Sequence, residues 1–148
     1  MKKTLLSMIL SVLFLTSVIF AEGNDLKKEN NGNVEKVITN FVKSIDTRDA
    51  GALSKSVFSN ANIFTFNQIA NKLDQYTGSQ FVDLVRNGQK GGWTRNVSVS
   101  SVDVDGNFAL AKVNITDPRL KESGYITLLK DDGTWKVTEE VTTLSLNK

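Results

Sequence analysis

The chain has 148 residues, no histidine and no cysteine, and its 18 basic side chains nearly balance 16 acidic ones. That composition excludes the usual zinc sites, histidine-dependent catalytic triads, cysteine nucleophiles and disulfide bonds. Because no long run of basic residues is present, the sequence also lacks the clustered positive charge of nucleic-acid-binding proteins. We expect one domain with no metal, no cofactor and no nucleic-acid partner.

The N-terminus is typical of a secretory signal peptide over residues 1–21. Two lysines precede an uncharged apolar run over residues 5–20, and Ala21 then offers a cleavage point. The run is shorter than the ~20 apolar residues that a membrane span needs, which favours a cleaved signal over a retained anchor. Removing those two lysines would leave 16 basic and 16 acidic side chains. We therefore expect a neutral, secreted or periplasmic protein with no membrane contact.

A long helix is predicted after a polar segment. Residues 22–32 contain one large apolar residue, Leu26, and predict a flexible leader to a single domain over residues 33–146. Apolar side chains then recur at the spacing of one helix face, and they are Val34, Val37, Ile38, Phe41, Val42 and Ile45. We predict a helix over residues 34–45 with Asn33 as its N-cap.

The middle of the chain predicts short elements, namely helix 50–58, strand 61–67, a second short strand at 68–72 and helix 80–86. Asp46 and Asp49 fit turn and capping roles between the first two helices, and Ser79 fits as the N-cap of the third. Alternation along the first strand places Phe64 and Phe66 on one face. Paired aromatic residues of this kind usually pack in a core.

The second half of the chain predicts a sheet, with long strands at 93–105, 108–116, 125–130 and from 135 onward. In the first of them the alternation of valines changes phase at Ser100 and Ser101, which is typical of a β-bulge. Asp-Gly pairs at 105–106 and 132–133 supply the positive φ angles of tight hairpin turns. Helices followed by hairpin-linked strands indicate an α+β fold, with a curved antiparallel sheet covered by about three helices.

Three stretches carry a resemblance to a known superfamily: the Asp-Gly-Asn turn at 105–107, Ala-Leu-Ala-Lys-Val at 109–113 and the hairpin Tyr-Ile-Thr-Leu-Leu-Lys-Asp-Asp-Gly-Thr-Trp-Lys-Val at 125–137. Over about residues 34–142 the chain resembles the nuclear transport factor-like superfamily, and within it the small proteins called "putative lumazine-binding". The resemblance implies a cone-shaped, cystatin-like roll wrapped around the N-terminal helices. It also implies a pocket at one open end and homodimers packed through the sheet.

The pocket that the resemblance implies would be lined by aromatic side chains, and the candidates are Phe64, Phe66, Tyr76, Phe81, Trp93 and Tyr125. Trp93 and Tyr125 stand out because each combines an apolar ring with a polar group and lies beside glycine. We predict a small apolar or aromatic ligand. The function predicted is that of a secreted, non-enzymatic module that binds a small ligand or a protein.

Two alternatives stay open. Relatives in the superfamily include ketosteroid isomerase and polyketide cyclases, so a proton-transfer enzyme could use Asp103 as base with Tyr76 or Tyr125 as hydroxyl. However, Asp103 alternates with valines and is predicted to face solvent, and Glu139 and Glu140 are predicted to be solvated surface residues. We therefore assign no catalytic residue. The other alternative is a homodimeric interaction domain that uses the outer sheet face.

Overall fold

The structure, a computed structural model, describes residues 27–147. The predicted signal peptide and residues 22–26 lie outside the described residues. Helix α1 covers residues 27–46. Residues 27–32, predicted to belong to a flexible leader, are therefore helical. Asn33, predicted as the N-cap, lies inside the helix. Extending an existing helix adds one hydrogen bond per residue at little entropic cost, so a polar segment can continue a helix that is packed further along.

The predicted apolar stripe of α1 is confirmed. Val34, Ile38, Phe41 and Val42 are at most 1% exposed, and Ile45 is 6% exposed. This stripe packs into the single hydrophobic core of the domain. Burial of these large side chains therefore stabilises the first helix against the sheet.

Helix α2 (Ala50–Ser56) begins where Asp49 was predicted to cap it. The Asp49 Oδ1 atom accepts a hydrogen bond from the Ala52 backbone N–H at 2.8 Å. The helix is shorter than predicted because Val57 and Phe58 already belong to strand β1 (Val57–Asn67). Val57 is 4% exposed, so its burial in the sheet outweighs its place in a helical pattern.

A turn occupies most of the short strand predicted at 68–72. The Asn67 Oδ1 atom accepts hydrogen bonds from the backbone N–H groups of Ile69 and Ala70, each at 3.0 Å. Such local bonds from a side chain to the backbone favour a turn over a strand. The strand begins only after the turn, as β2 (Lys72–Thr77), and pairs antiparallel with β1.

Helix α3 (Gly78–Arg86) starts earlier than predicted, and its N-cap is Thr77 rather than Ser79. The Thr77 hydroxyl accepts a hydrogen bond from Gln80 N at 3.2 Å, while Gln80 Oε1 accepts one from Thr77 N at 2.9 Å. This reciprocal pair is a capping box. Its sequence signal is a threonine followed three residues later by glutamine.

Replacing Thr77 with alanine should lower the free energy of unfolding by about 1 kcal/mol, because α3 loses its side-chain cap. Ser79→Ala is the matched control. The Ser79 hydroxyl donates only to Ser59 O, at 3.0 Å on the exposed surface, so its loss should cost less. Urea denaturation of both variants measures the difference. Equal losses would contradict the assignment of the cap to Thr77.

The second half of the chain forms the four long strands that the sequence predicts: β3 (Asn96–Asp105), β4 (Phe108–Thr116), β5 (Leu120–Asp131) and β6 (Thr134–Leu146). With β1 and β2 they build one open, curved sheet in the order β2-β1-β6-β5-β4-β3. The predicted α+β cone is confirmed. One detail differs, because β1 pairs with β6 in parallel and the sheet is therefore mixed rather than wholly antiparallel.

The predicted bulge in β3 is confirmed. The pairing of β3 with β4 shifts between Val99 and Ser101, which leaves Ser100 as the extra residue. Because of this shift the valines on both sides of the bulge pack against the core, and they are Val97, Val99, Val102 and Val104. A bulge also bends its strand, so it contributes to the curvature of the sheet.

The core lies between the helices and the inner face of the sheet. On β1, Ile63 faces inward and is 1% exposed, whereas Phe66 faces outward and is 39% exposed. Phe64 shares the outer phase with Phe66, so the prediction that these two rings pack in the core was wrong. The inner phase belongs to Ile63 and to Ala61, which lies against the start of α3 beside Gly78. Between residues 27 and 147, no helix is both long and apolar enough to cross a bilayer.

Candidate ligand-binding site

A cavity of about 240 Å³ opens between the end of α1, the loop from α3 to β3, and the inner face of the sheet. Its charged lining residues are Lys90, Arg95, Asp117, Glu122 and Glu140. Its apolar lining residues are Ile45, Phe81, Trp93, Ile115, Leu120 and Leu144. A mainly apolar wall with a few converging polar groups is the usual composition of a small-molecule site.

The structure brings two of the six predicted aromatic residues to this cavity. Phe81 and Trp93 line it, and Trp93 is 44% exposed. Tyr76 lies next to Phe81, with ring centroids 6.1 Å apart, but is not part of the lining. The other candidates lie on the outer face of the sheet, and they are Phe64, Phe66 and Tyr125.

Arg95, directly before β3, forms an ion network in the cavity wall. Its Nε donates to Asp46 Oδ1 at 2.7 Å, and its backbone N–H donates to Asp46 Oδ2 at 2.8 Å. Its Nη1 lies 3.3 Å from Glu122 Oε2. The three side chains are at most 13% exposed, so two carboxylates hold one guanidinium in a largely dehydrated place. Within the described part of the chain, Arg95 Nη2 has no hydrogen-bond partner.

Two threonines contact Glu122, one from the adjacent strand β6 and one from β1 on the far side of β6. Thr142 on β6 donates its hydroxyl to Glu122 Oε1 at 2.6 Å, and Thr65 on β1 reaches the same oxygen at 3.4 Å. Glu122 is thus fixed by both its oxygens, one facing Arg95 and one facing the hydroxyls. Asp46, which the sequence placed in a turn, is instead an anchor for Arg95.

Glu140 on β6 is the buried acid of the cavity. Its register partners are Ile63 on β1 and Ile126 on β5, both buried, and Glu140 itself is 4% exposed. The prediction that Glu140 is a solvated surface residue was therefore wrong. No hydrogen bond to its carboxyl group is found among residues 27–147.

Burial and then the negative charge of Glu122 raise the pKa of Glu140 to about 8, against the opposing charges of Arg95 and Lys90. The carboxyl group is therefore mainly protonated at pH 7. A protonated carboxyl group is both a hydrogen-bond donor and an acceptor. The cavity consequently presents a neutral acid beside an ion network of one guanidinium and two carboxylates.

A second bulge explains why sequence alternation misplaced Glu140. The pairing of β5 with β6 shifts between Thr127 and Leu128, so that Thr138 becomes an extra residue in β6. Before the bulge, Trp135 and Val137 face the core. After it, Glu140 and Thr142 face inward instead. The sequence carries no clear signal of this shift, because Trp135, Val137 and Val141 all fall in the same phase of strict alternation.

The loop carrying Trp93 is clamped to the end of α1. Gly91 has a φ of +78°, and a Cβ atom there would lie 1.8 Å from Ile45 O, so only glycine fits. Arg48 Nη2 donates to Gly91 O at 3.1 Å, and Gly92 N donates to Asp46 O at 2.9 Å. This contact fixes one edge of the cavity.

The alternative catalytic set is not brought together. Asp103 is exposed on the outer phase of β3, as the sequence predicted, and neither Tyr76 nor Tyr125 lines the cavity. In the described ranges no group of three or more acidic side chains is placed to hold a metal ion. The chemistry of the site therefore comes from Glu140, the Arg95 network and the aromatic wall.

Solved structures of the same fold define the class of protein. An NTF2-like protein of unknown function from Silicibacter pomeroyi DSS-3 is 16% identical with a TM-score of 0.64, and the match covers 78% of this chain and 94% of that one. An NTF2-like protein of unknown function from Methylobacillus flagellatus KT is 19% identical with a TM-score of 0.62, covering 79% of this chain and 91% of that one. A ketosteroid isomerase-like protein from Erwinia carotovora atroseptica SCRI1043 is 10% identical with a TM-score of 0.57, covering 81% and 98%. At these identities the likeness establishes the fold alone.

The sequence identifies the family within that class. The model of the family described as "Putative lumazine-binding" matches residues 29–141, which is more than half of the chain. The chain belongs to this family, as the resemblance at 109–113 and 125–137 indicated. A comparison with curated proteins finds no match.

Proposed function

We propose that the chain is a secreted module that binds a small apolar or aromatic molecule in the cavity without altering it chemically. The observation that carries this proposal is the combination of an apolar wall, an aromatic pair at Phe81 and Trp93, and one buried acid, Glu140. The cavity volume of about 240 Å³ is below the roughly 300–1,000 Å³ of drug-sized sites. A single or fused ring system is therefore the expected size of ligand.

The geometry favours binding over proton transfer. An isomerase-type site needs an ionised carboxylate base and an acidic hydroxyl that reach the same substrate. Here Asp46 and Glu122 are engaged by Arg95, and Glu140 holds its own proton at neutral pH. The chain's two tyrosines lie outside the cavity lining.

Native mass spectrometry of the protein purified from the cells that make it tests this function. We expect a non-covalent complex with a small molecule, and the mass of the protein should also show removal of residues 1–21. In parallel, lumazine is titrated while the fluorescence of Trp93 is followed, because the family description names this heterocycle. The absence of a copurifying molecule together with no lumazine binding would overturn the proposal.

A cavity-filling pair of variants localises the binding. Leu144→Phe adds a ring to the cavity lining and should abolish lumazine binding, whereas Leu146→Phe changes a residue of the same strand that is 59% exposed and outside the lining. Both are compared by calorimetry after their thermal unfolding has been checked. Equal binding by the two variants would place the ligand elsewhere.

The outer face of the sheet supports a second proposal, a homodimer. It presents a set of apolar side chains that are 37–54% exposed, namely Phe66, Leu73, Phe108, Leu110, Tyr125, Leu129 and Val141. Strand register places them in adjacent pairs, such as Tyr125 beside Val141 and Phe108 beside Leu129. A contiguous apolar patch of this kind on a soluble domain is typical of an interaction surface. A two-fold axis through the sheet would let this one surface pack against its own copy.

Tyr125→Glu should convert a dimer of the wild-type protein into a monomer, because it buries a charge in the centre of the proposed interface. Ile69→Glu is the matched control, since Ile69 is 55% exposed in the β1–β2 turn. Size-exclusion chromatography with light scattering gives the masses. A wild-type protein that is monomeric at micromolar concentration, or a dimer that survives Tyr125→Glu, would contradict this interface.

A further inference from the structure

We propose that Glu140 selects ligands that carry a neutral amide edge, meaning a ring carbonyl next to a ring N–H, and binds that edge through two hydrogen bonds. This inference rests on the proposed small-ligand function and names the chemical class that the cavity accepts. It assigns Glu140 the role of recognition residue. The aromatic side chains Phe81 and Trp93 would then flank the ring that carries the edge.

The position of Glu140 supports this role. Its side chain is 96% buried at the inner face of β6, since the residue is 4% exposed, and it contributes to the cavity lining. None of the side-chain hydrogen bonds among residues 27–147 involves its carboxyl group, and a polar group with little access to water gains free energy from a partner. A ligand in the cavity is the partner that is geometrically available.

The other charged groups of the cavity are more fully engaged than Glu140. Arg95 is held by Asp46 and Glu122 at 2.7 Å and 3.3 Å. Asp117, from the β4–β5 turn, accepts hydrogen bonds from the backbone N–H groups of Arg119 and Leu120. Lys90, from the α3–β3 loop, lies over the Tyr76 ring at 5.5 Å. Apart from Arg95 Nη2, which has no hydrogen-bond partner within the described residues, these groups are already engaged.

The protonation of Glu140 fixes the pattern that it can recognise. Burial, and then the charge of Glu122 on β5, raise its pKa to about 8, while Arg95 and Lys90 act in the opposite direction. Below that pH the carboxyl group has an O–H donor and a C=O acceptor side by side. Their complement is an adjacent acceptor and donor, as in a lactam or an imide.

A pair of probes that differ only at the amide edge tests this inference. 2-Quinolinone has a ring carbonyl next to N–H, whereas N-methyl-2-quinolinone has the same ring with the donor blocked. Calorimetry with the wild-type protein at pH 6.5 should show about 10-fold tighter binding of 2-quinolinone, as expected for the one additional hydrogen bond from its ring N–H. At pH 9 the wild type should bind both probes more weakly, because the ionised carboxylate has no proton to donate to the ring carbonyl that both probes carry.

Two variants separate hydrogen bonding from folding. Glu140→Gln keeps a donor and an acceptor at every pH, so its affinity for both probes should be the same at pH 9 as at pH 6.5. Glu140→Leu keeps the volume but has neither group, so it should bind both probes equally. Circular dichroism and thermal unfolding of each variant are recorded first, and Glu140→Gln carries the test if Glu140→Leu does not fold.

The outcomes distinguish this inference from the proposed function. Equal binding of both probes by the wild type at pH 6.5 would overturn the role of Glu140 while leaving small-ligand binding intact. A Glu140→Gln variant whose affinity for the probes falls at pH 9 together with that of the wild type would also overturn it. If neither probe binds, the amide-edge inference fails, and the proposed function is then decided by the native mass measurement.

Discussion

Replacing Arg95 with alanine is expected to lower the free energy of unfolding by about 3–5 kcal/mol, the range measured when one partner of a buried ion pair is removed. Arg95 holds Asp46 and Glu122, and all three side chains are at most 13% exposed. Without the guanidinium, two carboxylates remain in a place with little water. Equilibrium denaturation in urea at pH 7 measures the loss.

Arg86→Ala is the matched control for Arg95→Ala. Arg86 also pairs with a carboxylate, that of Asp83, but the two side chains are 57% and 61% exposed. An exposed pair contributes about 0–1 kcal/mol, because water screens it. Lowering the pH toward 4 should recover part of the stability of Arg95→Ala relative to the wild type, since protonation removes the unpaired charges. A cost as small as that of Arg86→Ala would contradict a structural role for the network.

Local patterns predicted most of the secondary structure. The stripe of α1, the Asp49 cap, the hairpin turns and the β3 bulge each depend on residues close together in the sequence. In the Asp-Gly turn between β5 and β6, Asp132 and Gly133 have φ angles of +48° and +74°. Where the local patterns failed, as at Thr77 and at the start of α1, a competing cap or the continuation of a helix decided the boundary.

The candidate site could not be predicted to the same extent because its contacts join distant parts of the chain. Arg95 is 49 residues from Asp46 and 27 residues from Glu122, and no local pattern relates them. Only Phe81 and Trp93 of the predicted aromatic set reach the cavity. Packing against α3 determines which face of β1 is inward. Because Ala61 and Ile63 occupy that face, Phe64 and Phe66 lie on the outer surface.

Glu140 shows how a single extra residue changes the chemistry of a site. Strict alternation from Trp135 and Val137 would place Glu139 inward and Glu140 outward. The bulge at Thr138 reverses this, so that Glu140 enters the cavity and Val141 joins the outer face. The same shift that supplies the buried acid therefore also adds an apolar side chain to the proposed dimer surface.

The stability of the wild-type protein is expected to fall relative to that of Glu140→Gln as the pH rises from about 4.5 to about 8. Burial, and to a smaller extent the charge of Glu122, raises the pKa of Glu140 from its ordinary 4.5 to about 8. Between those values the folded protein keeps a proton that the unfolded chain releases. The contribution of Glu140 is thus fully present below pH 4.5 and is lost as the pH rises through 8, at roughly 1.4 kcal/mol per pH unit for one proton.

Subtracting the free energy of unfolding of Glu140→Gln from that of the wild type leaves the contribution of the Glu140 proton. Asp117, whose pKa is lowered by hydrogen bonds from the backbone N–H groups of Arg119 and Leu120, has the opposite effect. Its contribution is present above its ordinary 3.8 and is lost as the pH falls further, and it is the same in both proteins. Asp74, whose pKa is lowered by its hydrogen bond with Lys72, cancels in the same way.

Urea denaturation at half-unit pH intervals from 5 to 9 measures this difference, which should level off above pH 8 when the folded carboxyl group has ionised. Glu139→Gln is a second control, because it changes the neighbouring acid on the same strand, which is not part of the cavity lining. A difference that stays constant across this range would mean that Glu140 is ionised in the folded protein. In that case the cavity would present a negative charge rather than a neutral acid, and it would select cationic ligands over amides.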